Sequence, residues 1–178
     1  MSSTLTTGPG AGANHLVDVL RAGTLSGVLR DEAEISPGLR LVVDPEAEVT
    51  GRWSSPAGRL LEIEAEVTRP GRWLALHLTL DAADLSDRGV LGFAARIGAP
   101  RTTAVRAAIR SGTQAGFVDR FFDKTIVGQP FPATHLDAVE PGLDPVTLPL
   151  RAPWREVVLF LPTTSFRLDL HDLRLFVA

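Results

Sequence analysis

A chain of 178 residues, 44% hydrophobic and 22% charged, is long enough for one domain with a substantial core and too apolar to be intrinsically disordered. No uninterrupted apolar run reaches the length of a membrane-spanning helix, and the absence of Cys and Tyr removes disulfides, thiolate chemistry and phenolic acid–base catalysis. The 18 basic and 21 acidic residues leave a net charge of −3, so neither nucleic acid nor an anionic membrane is expected as a partner.

Residues 1–13 are mostly Ser, Thr, Gly, Ala and Pro, and are expected to form a flexible arm ahead of a single domain over 14–178. The arm's Gly8-Pro9-Gly10-Ala11-Gly12-Ala13 can be aligned with a dinucleotide-binding loop, but the polar residues before it do not make the buried strand that motif requires. The first twenty residues also lack the basic start and apolar core of a secretory leader, which points to a cytoplasmic location. Asn14 is a candidate cap for a short helix with Leu16, Val17, Val19 and Leu20 on its apolar stripe, ended by Gly23.

Beyond that helix the hydrophobic period is two. Strands are expected at 25–30, 39–43, 60–68, 73–80, 90–97, 103–111, 116–122, 146–150, 156–161 and 166–177. In the third, Leu61, Ile63, Ala65 and Val67 alternate with Glu62, Glu64 and Glu66. Pro70-Gly71 then suggests a hairpin to the strand bearing Leu74, Leu76, Leu78 and Leu80. The proline-rich stretch Gln129 to Pro149 reads as a crossing loop. In the last strand the apolar phase slips between Leu170 and Leu173, which predicts a bulge near His171 and Asp172. This pattern defines an all-β, two-sheet antiparallel β-sandwich with a short N-terminal helix.

Few residues stand out as chemistry. The histidines are scattered, no nucleophile elbow or phosphate loop is present, and the three strand glutamates, about 7 Å apart, share one solvated face that does not separate an acid from a base. No catalytic residue is singled out. The alternation does place Arg96, Arg106 and Arg110 off the core face, with Arg120 as a further member, and Trp73 and His77 are off the core face of their own strand. A sheet face carrying rings and guanidinium forks suits a saccharide or another polar, acidic ligand.

The sandwich strands, the proline-rich crossing and the ending Leu168-Asp169-Leu170-His171-Asp172-Leu173-Arg174-Leu175-Phe176 together resemble a galactose-binding-like jelly-roll domain, a class that includes many carbohydrate-binding modules. The Asp172-Leu173-Arg174-Leu175 segment is similar to the terminal strand of such modules. The resemblance implies a jelly roll and a non-catalytic module that binds a saccharide on a concave sheet face. It also implies a structural calcium held by Asp172, with Asp31, Glu32 or Glu34 as its partner. Two alternatives stay open: a carbohydrate-active hydrolase or lyase using carboxylate or His groups of the same face, and an assembly domain docking through an apolar patch around Trp53 and Trp154.

Overall fold

The computed structural model describes residues 8–178. Most of the expected arm therefore lies outside the described residues. Helix α1 (Ala11–Ala22) is followed by β1 (Leu25–Val28), β2 (Ala33–Ser36), β3 (Leu39–Val43), β4 (Glu48–Ser55), β5 (Leu61–Arg69) and β6 (Leu74–Leu80). The second half contains β7 (Leu91–Gly98), β8 (Thr103–Thr113), β9 (Gly116–Gly128), β10 (Ala133–Val139), β11 (Arg155–Phe160) and β12 (Phe166–Val177). All strand pairs are antiparallel. The first sheet has the order β1-β4-β5-β12-β7-β10 and the second β2-β3-β6-β11-β8-β9, so neighbouring strands in chain order are repeatedly dealt to opposite sheets. This is the two-sheet sandwich expected from the alternation. No described helix is long and apolar enough to cross a membrane.

The inner faces are set by period two. Leu61 and Ile63 of β5, Phe93 and Ile97 of β7 and Leu173 of β12 are buried against Leu41 of β3, Leu76 and Leu78 of β6, Ile109 of β8 and Val157 of β11. Phe93 and Phe122 join the two layers edge to face, with ring centroids 4.7 Å apart.

Helix α1 starts at Ala11, so Ala11–Ala13 belong to the helix and not to an arm. Its cap also differs from expectation. Gly10, at φ 84°, occupies the N-cap position, and the Asp81 carboxylate accepts the N–H of Gly10 (3.0 Å) and of Gly12 (3.3 Å). Asn14 instead clasps β12, donating Nδ2 to the Leu175 carbonyl (2.8 Å) and accepting the Leu175 N–H (2.9 Å). Ala13, Val17 and Leu20 turn inward, and Gly23 ends the helix.

Four expectations are corrected. The Pro70-Gly71 turn does not make a hairpin, because β5 pairs with β4 and β12 in the first sheet while β6 pairs with β3 and β11 in the second. Asp44 secures this crossing: its carboxylate accepts the Arg72 N–H (2.7 Å), and its own N–H donates to the Trp73 carbonyl (3.1 Å). The proline-rich stretch contains a strand, β10, paired with β7. Residues 146–150 are not a strand but part of a loop in which Asp144 binds the Thr147 N–H and hydroxyl. Strands β2 and β4 were not anticipated. The predicted bulge is present: Leu170 pairs with Ile97 and Asp172 with Arg96, leaving His171 as the extra residue.

Candidate functional site

The outer face of the second sheet is built in rows. His77, Val158, Ala108 and Phe121 lie side by side across β6, β11, β8 and β9, and Thr79, Glu156, Arg110 and Asp119 form the next row. Small residues make its floor: Ala75, Ala108 and Val158 are fully buried although they point away from the core. Taller side chains lie over them as a connected layer. The Arg106 guanidinium sits 4.3 Å from the Phe121 ring centroid, Phe121 packs on Phe160 at 5.3 Å, and Arg110 lies 3.8 Å from the Phe117 centroid.

Arg110 is held in place. Its Nε and one terminal nitrogen donate to the two oxygens of Asp119, each at 2.8 Å, while Phe117 supports its flat face. Below it His77, only 4% exposed, donates Nδ1–H to Glu156 Oε2 (2.7 Å), and Arg40 pairs with Glu156 Oε1 (2.7 Å). Burial raises the Glu156 carboxyl, but the His77 hydrogen bond and the Arg40 charge outweigh it and hold the group below its ordinary value.

The aromatic end of this face comes from Trp154. Gly112 is an outer-face position of β8, and a Cβ built there would meet the Trp154 ring at 2.4 Å, so the indole lies directly on the bare backbone. Its neighbour across the strand pair is Phe117, opposite Gly112. Trp154 is 41% exposed and Phe117 53%, which gives two rings with free surface, both set by Gly112. No sequence period links Gly112 to Trp154. The only available signal is a glycine inside an otherwise regular strand.

The structure brings together some of the expected site residues and separates others. Arg106, Arg110 and His77 share this face, although His77 is a buried prop and not an exposed hydrogen-bonding group. Trp73 stands at the entry to β6, half-buried, with Arg72 5.2 Å from its ring centroid. Arg96 is on the outer face of the opposite sheet, cross-strand from Asp172. Arg120 pairs with Ile109, a core-facing position, and bonds to the Phe121 carbonyl, so it does not join the face. Trp53 belongs to the core.

The residues expected to hold calcium do not fit one. Asp172 Oδ2 accepts from Arg21 (3.0 Å) and Oδ1 from Arg174 (3.0 Å), which already neutralises the carboxylate. Asp31 binds the Val43 N–H (3.0 Å) beyond the end of β1, whose Val28 is in the row of Arg52, Glu64 and Arg167. Asp172 is five residues further along β12, about 17 Å at the rise of a strand. Among the described residues no group of three or more His, Asp or Glu is placed to hold a metal.

A further cleft, of about 850 Å³, lies at one end of the first sheet. Arg52, Glu64, Glu66, Arg101 and Arg167 line it with several hydroxyl groups, and Glu64 is paired with Arg52. Its only aromatic lining residue, Phe166, is buried, so the cleft offers no ring for stacking.

No protein-family model matches the chain, and no curated protein matches its sequence. Solved structures do match. A family 11 carbohydrate-binding module from Clostridium thermocellum, in complex with a beta-1,3-1,4-mixed-linked tetrasaccharide, superimposes with a TM-score of 0.54 at 14% identity, over 85% of this chain and 95% of that one. The N-terminal cellulose-binding domain of Cellulomonas fimi beta-1,4-glucanase C matches with a TM-score of 0.53 at 12% identity, over 83% of this chain and 92% of the other. The chain thus has the jelly-roll fold found in carbohydrate-binding modules.

Proposed function

We propose that the protein is a non-catalytic binding module that recognises a saccharide on the outer face of its second sheet. The observation that carries this reading is the exposed Trp154 ring seated on Gly112 beside Phe117, with the immobilised Arg110 next to it. A pyranose has an apolar face that stacks on a ring and equatorial hydroxyls that need donors in the ring's plane. Arg106, exposed and in no ion pair among the described residues, supplies donors to a more distant unit of an oligosaccharide, since it is six residues from Gly112 along β8, about 20 Å at the rise of a strand. Arg110 keeps one terminal nitrogen outside its Asp119 fork. Because those groups are already held by rings and by Asp119, little freedom is lost when a ligand arrives. The likeness in fold to carbohydrate-binding modules supports the reading by analogy.

One observation favours a hydrolytic alternative: Glu64 and Glu66 line a common cleft. Both side chains are exposed, however, so neither has the dry surroundings that keep a carboxylic acid protonated at neutral pH.

A glycan array carrying neutral and acidic oligosaccharides tests the binding reading. Wild-type protein is expected to give hits that Trp154→Ala and Arg106→Ala weaken at least about tenfold, the effect of losing one anchoring contact. The melting temperature of Arg106→Ala should stay nearly unchanged, because that side chain is exposed. An array without hits, or hits indifferent to both substitutions, would remove the proposal.

A further inference from the structure

On the opposite side of the sandwich, three guanidinium groups converge around a pocket of about 280 Å³ whose lining includes Arg21, Arg96, Arg174, His171, Thr134 and Ala94. The strand register explains the convergence. Asp172, Arg96 and Thr134 lie side by side across β12, β7 and β10, and Arg174 and Ala94 form the next row. Arg21 arrives from the last turn of α1, and His171 is the residue displaced by the bulge.

The charges in this cluster do not close among themselves. Asp172 is fully engaged, since Oδ1 accepts from Arg174 and from the Leu173 N–H (3.0 Å each) and Oδ2 accepts from Arg21. Arg174 has a second partner in Asp18 (2.6 Å). Arg96, although cross-strand from Asp172, has no ion-pair or hydrogen-bond partner among the described residues. Arg21 Nε is buried without any acceptor. Arg21 and Arg174 are thus paired with carboxylates, whereas the Arg96 guanidinium lines the pocket with no carboxylate of its own and keeps its donors for a ligand. Burial, with the Arg59 and Arg96 charges opposed by those of Asp169 and Glu62, holds the His171 imidazole below its ordinary value.

We propose that this pocket binds an oxyanion: the sulfate, phosphate or carboxylate group of an anionic ligand. The Arg96 guanidinium is its charge-assisted donor, and the Thr134 hydroxyl completes the rim. The volume corresponds to about nine waters at their liquid volume, so it takes a group larger than the bare ion. The site does not depend on the saccharide face, which lies on the other sheet.

The test follows the His171 ring C–H resonances by NMR during titration with sodium sulfate, sodium phosphate and galacturonate, with sodium chloride holding the ionic strength constant. A saturable shift is expected with at least one of the three. Its affinity should fall about tenfold or more in Arg96→Ala, recover in part in Arg96→Lys, and be unaffected in Trp154→Ala. Saturation by sulfate or phosphate alone assigns a tetrahedral oxyanion, and saturation by galacturonate alone assigns a sugar carboxylate. Shifts that stay linear for all three anions, or an affinity that Arg96→Ala leaves unchanged, would overturn the proposal.

Discussion

Gly112 shows how one absent side chain shapes a surface. Strand β8 is regular on either side of it, yet the Trp154 indole occupies the space where its Cβ would stand. Replacing Gly112 with Ala puts a carbon 2.4 Å from the ring nitrogen, well inside contact distance, so the ring must lift or turn. Gly112→Ala is therefore expected to shift the Trp154 fluorescence maximum and weaken saccharide binding several-fold without removing a contacting group. Equal affinity with an unchanged spectrum would mean that the ring position does not matter. This geometry was out of reach of the sequence, because the two residues are far apart in the chain and share no period. The arginines were more legible: alternation on β8 put Arg106 and Arg110 on one outer face, as observed. The same rule placed Arg96 off the core, but it cannot say which sheet a strand joins, and Arg96 belongs to the other side of the molecule.

At the level of elements, strands whose inward residues are aliphatic could be read directly. Strands β3 and β12 have the expected bounds, and the slipped phase in β12 marked its bulge correctly. Strand β10 escaped because two of its four inward positions, His135 and Asp137, are polar: Asp137 is buried, accepting the N–H groups of Lys124 (2.7 Å) and Ala138 (2.9 Å), and breaks the apolar alternation between Ala133 and Val139. Strand β4 escaped for a related reason, since Gly51 and Ser55 take inward positions beside Trp53. The supposed β5–β6 hairpin failed because a Pro-Gly turn reports a change of direction and not the sheet that the chain enters next. Arg155 is another inward polar residue, on β11. Only 1% exposed, it donates to the Ala82 carbonyl (2.6 Å), Ser111 Oγ (2.5 Å) and the Pro149 carbonyl (2.5 Å), which ties the 140–152 loop to the sandwich. Arg155→Met would leave three acceptors without their donor, and should destabilise the fold by about 2–4 kcal/mol in urea denaturation. A loss below about 0.5 kcal/mol would show that the loop does not depend on this residue.

Across the whole molecule the two outer faces differ in chemistry: one presents rings with immobilised arginines, the other a cationic pocket and a polar cleft. The titrating groups favour neutral pH. Glu156, Asp44 and Asp144 are held below their ordinary values, and Asp84 is lowered to about 2 by hydrogen bonds from Ser86 and by Arg151. Such carboxylates contribute stability above the unfolded value near 4 and lose it as the pH falls through their folded values. His171, lowered by burial, adds a loss that begins as the pH drops below its ordinary value of 6.5. The urea midpoint is accordingly expected to fall steadily from pH 7 to about pH 2; a midpoint that rises on acidification would contradict these assignments.

The most direct test of saccharide recognition uses the indole N–H resonances of the three tryptophans, followed while an oligosaccharide selected on the array is added. Trp154 should shift in a saturable manner with Trp53, which is buried in the core, unmoved. A Trp154 resonance that stays stationary while the oligosaccharide saturates the protein would contradict the account.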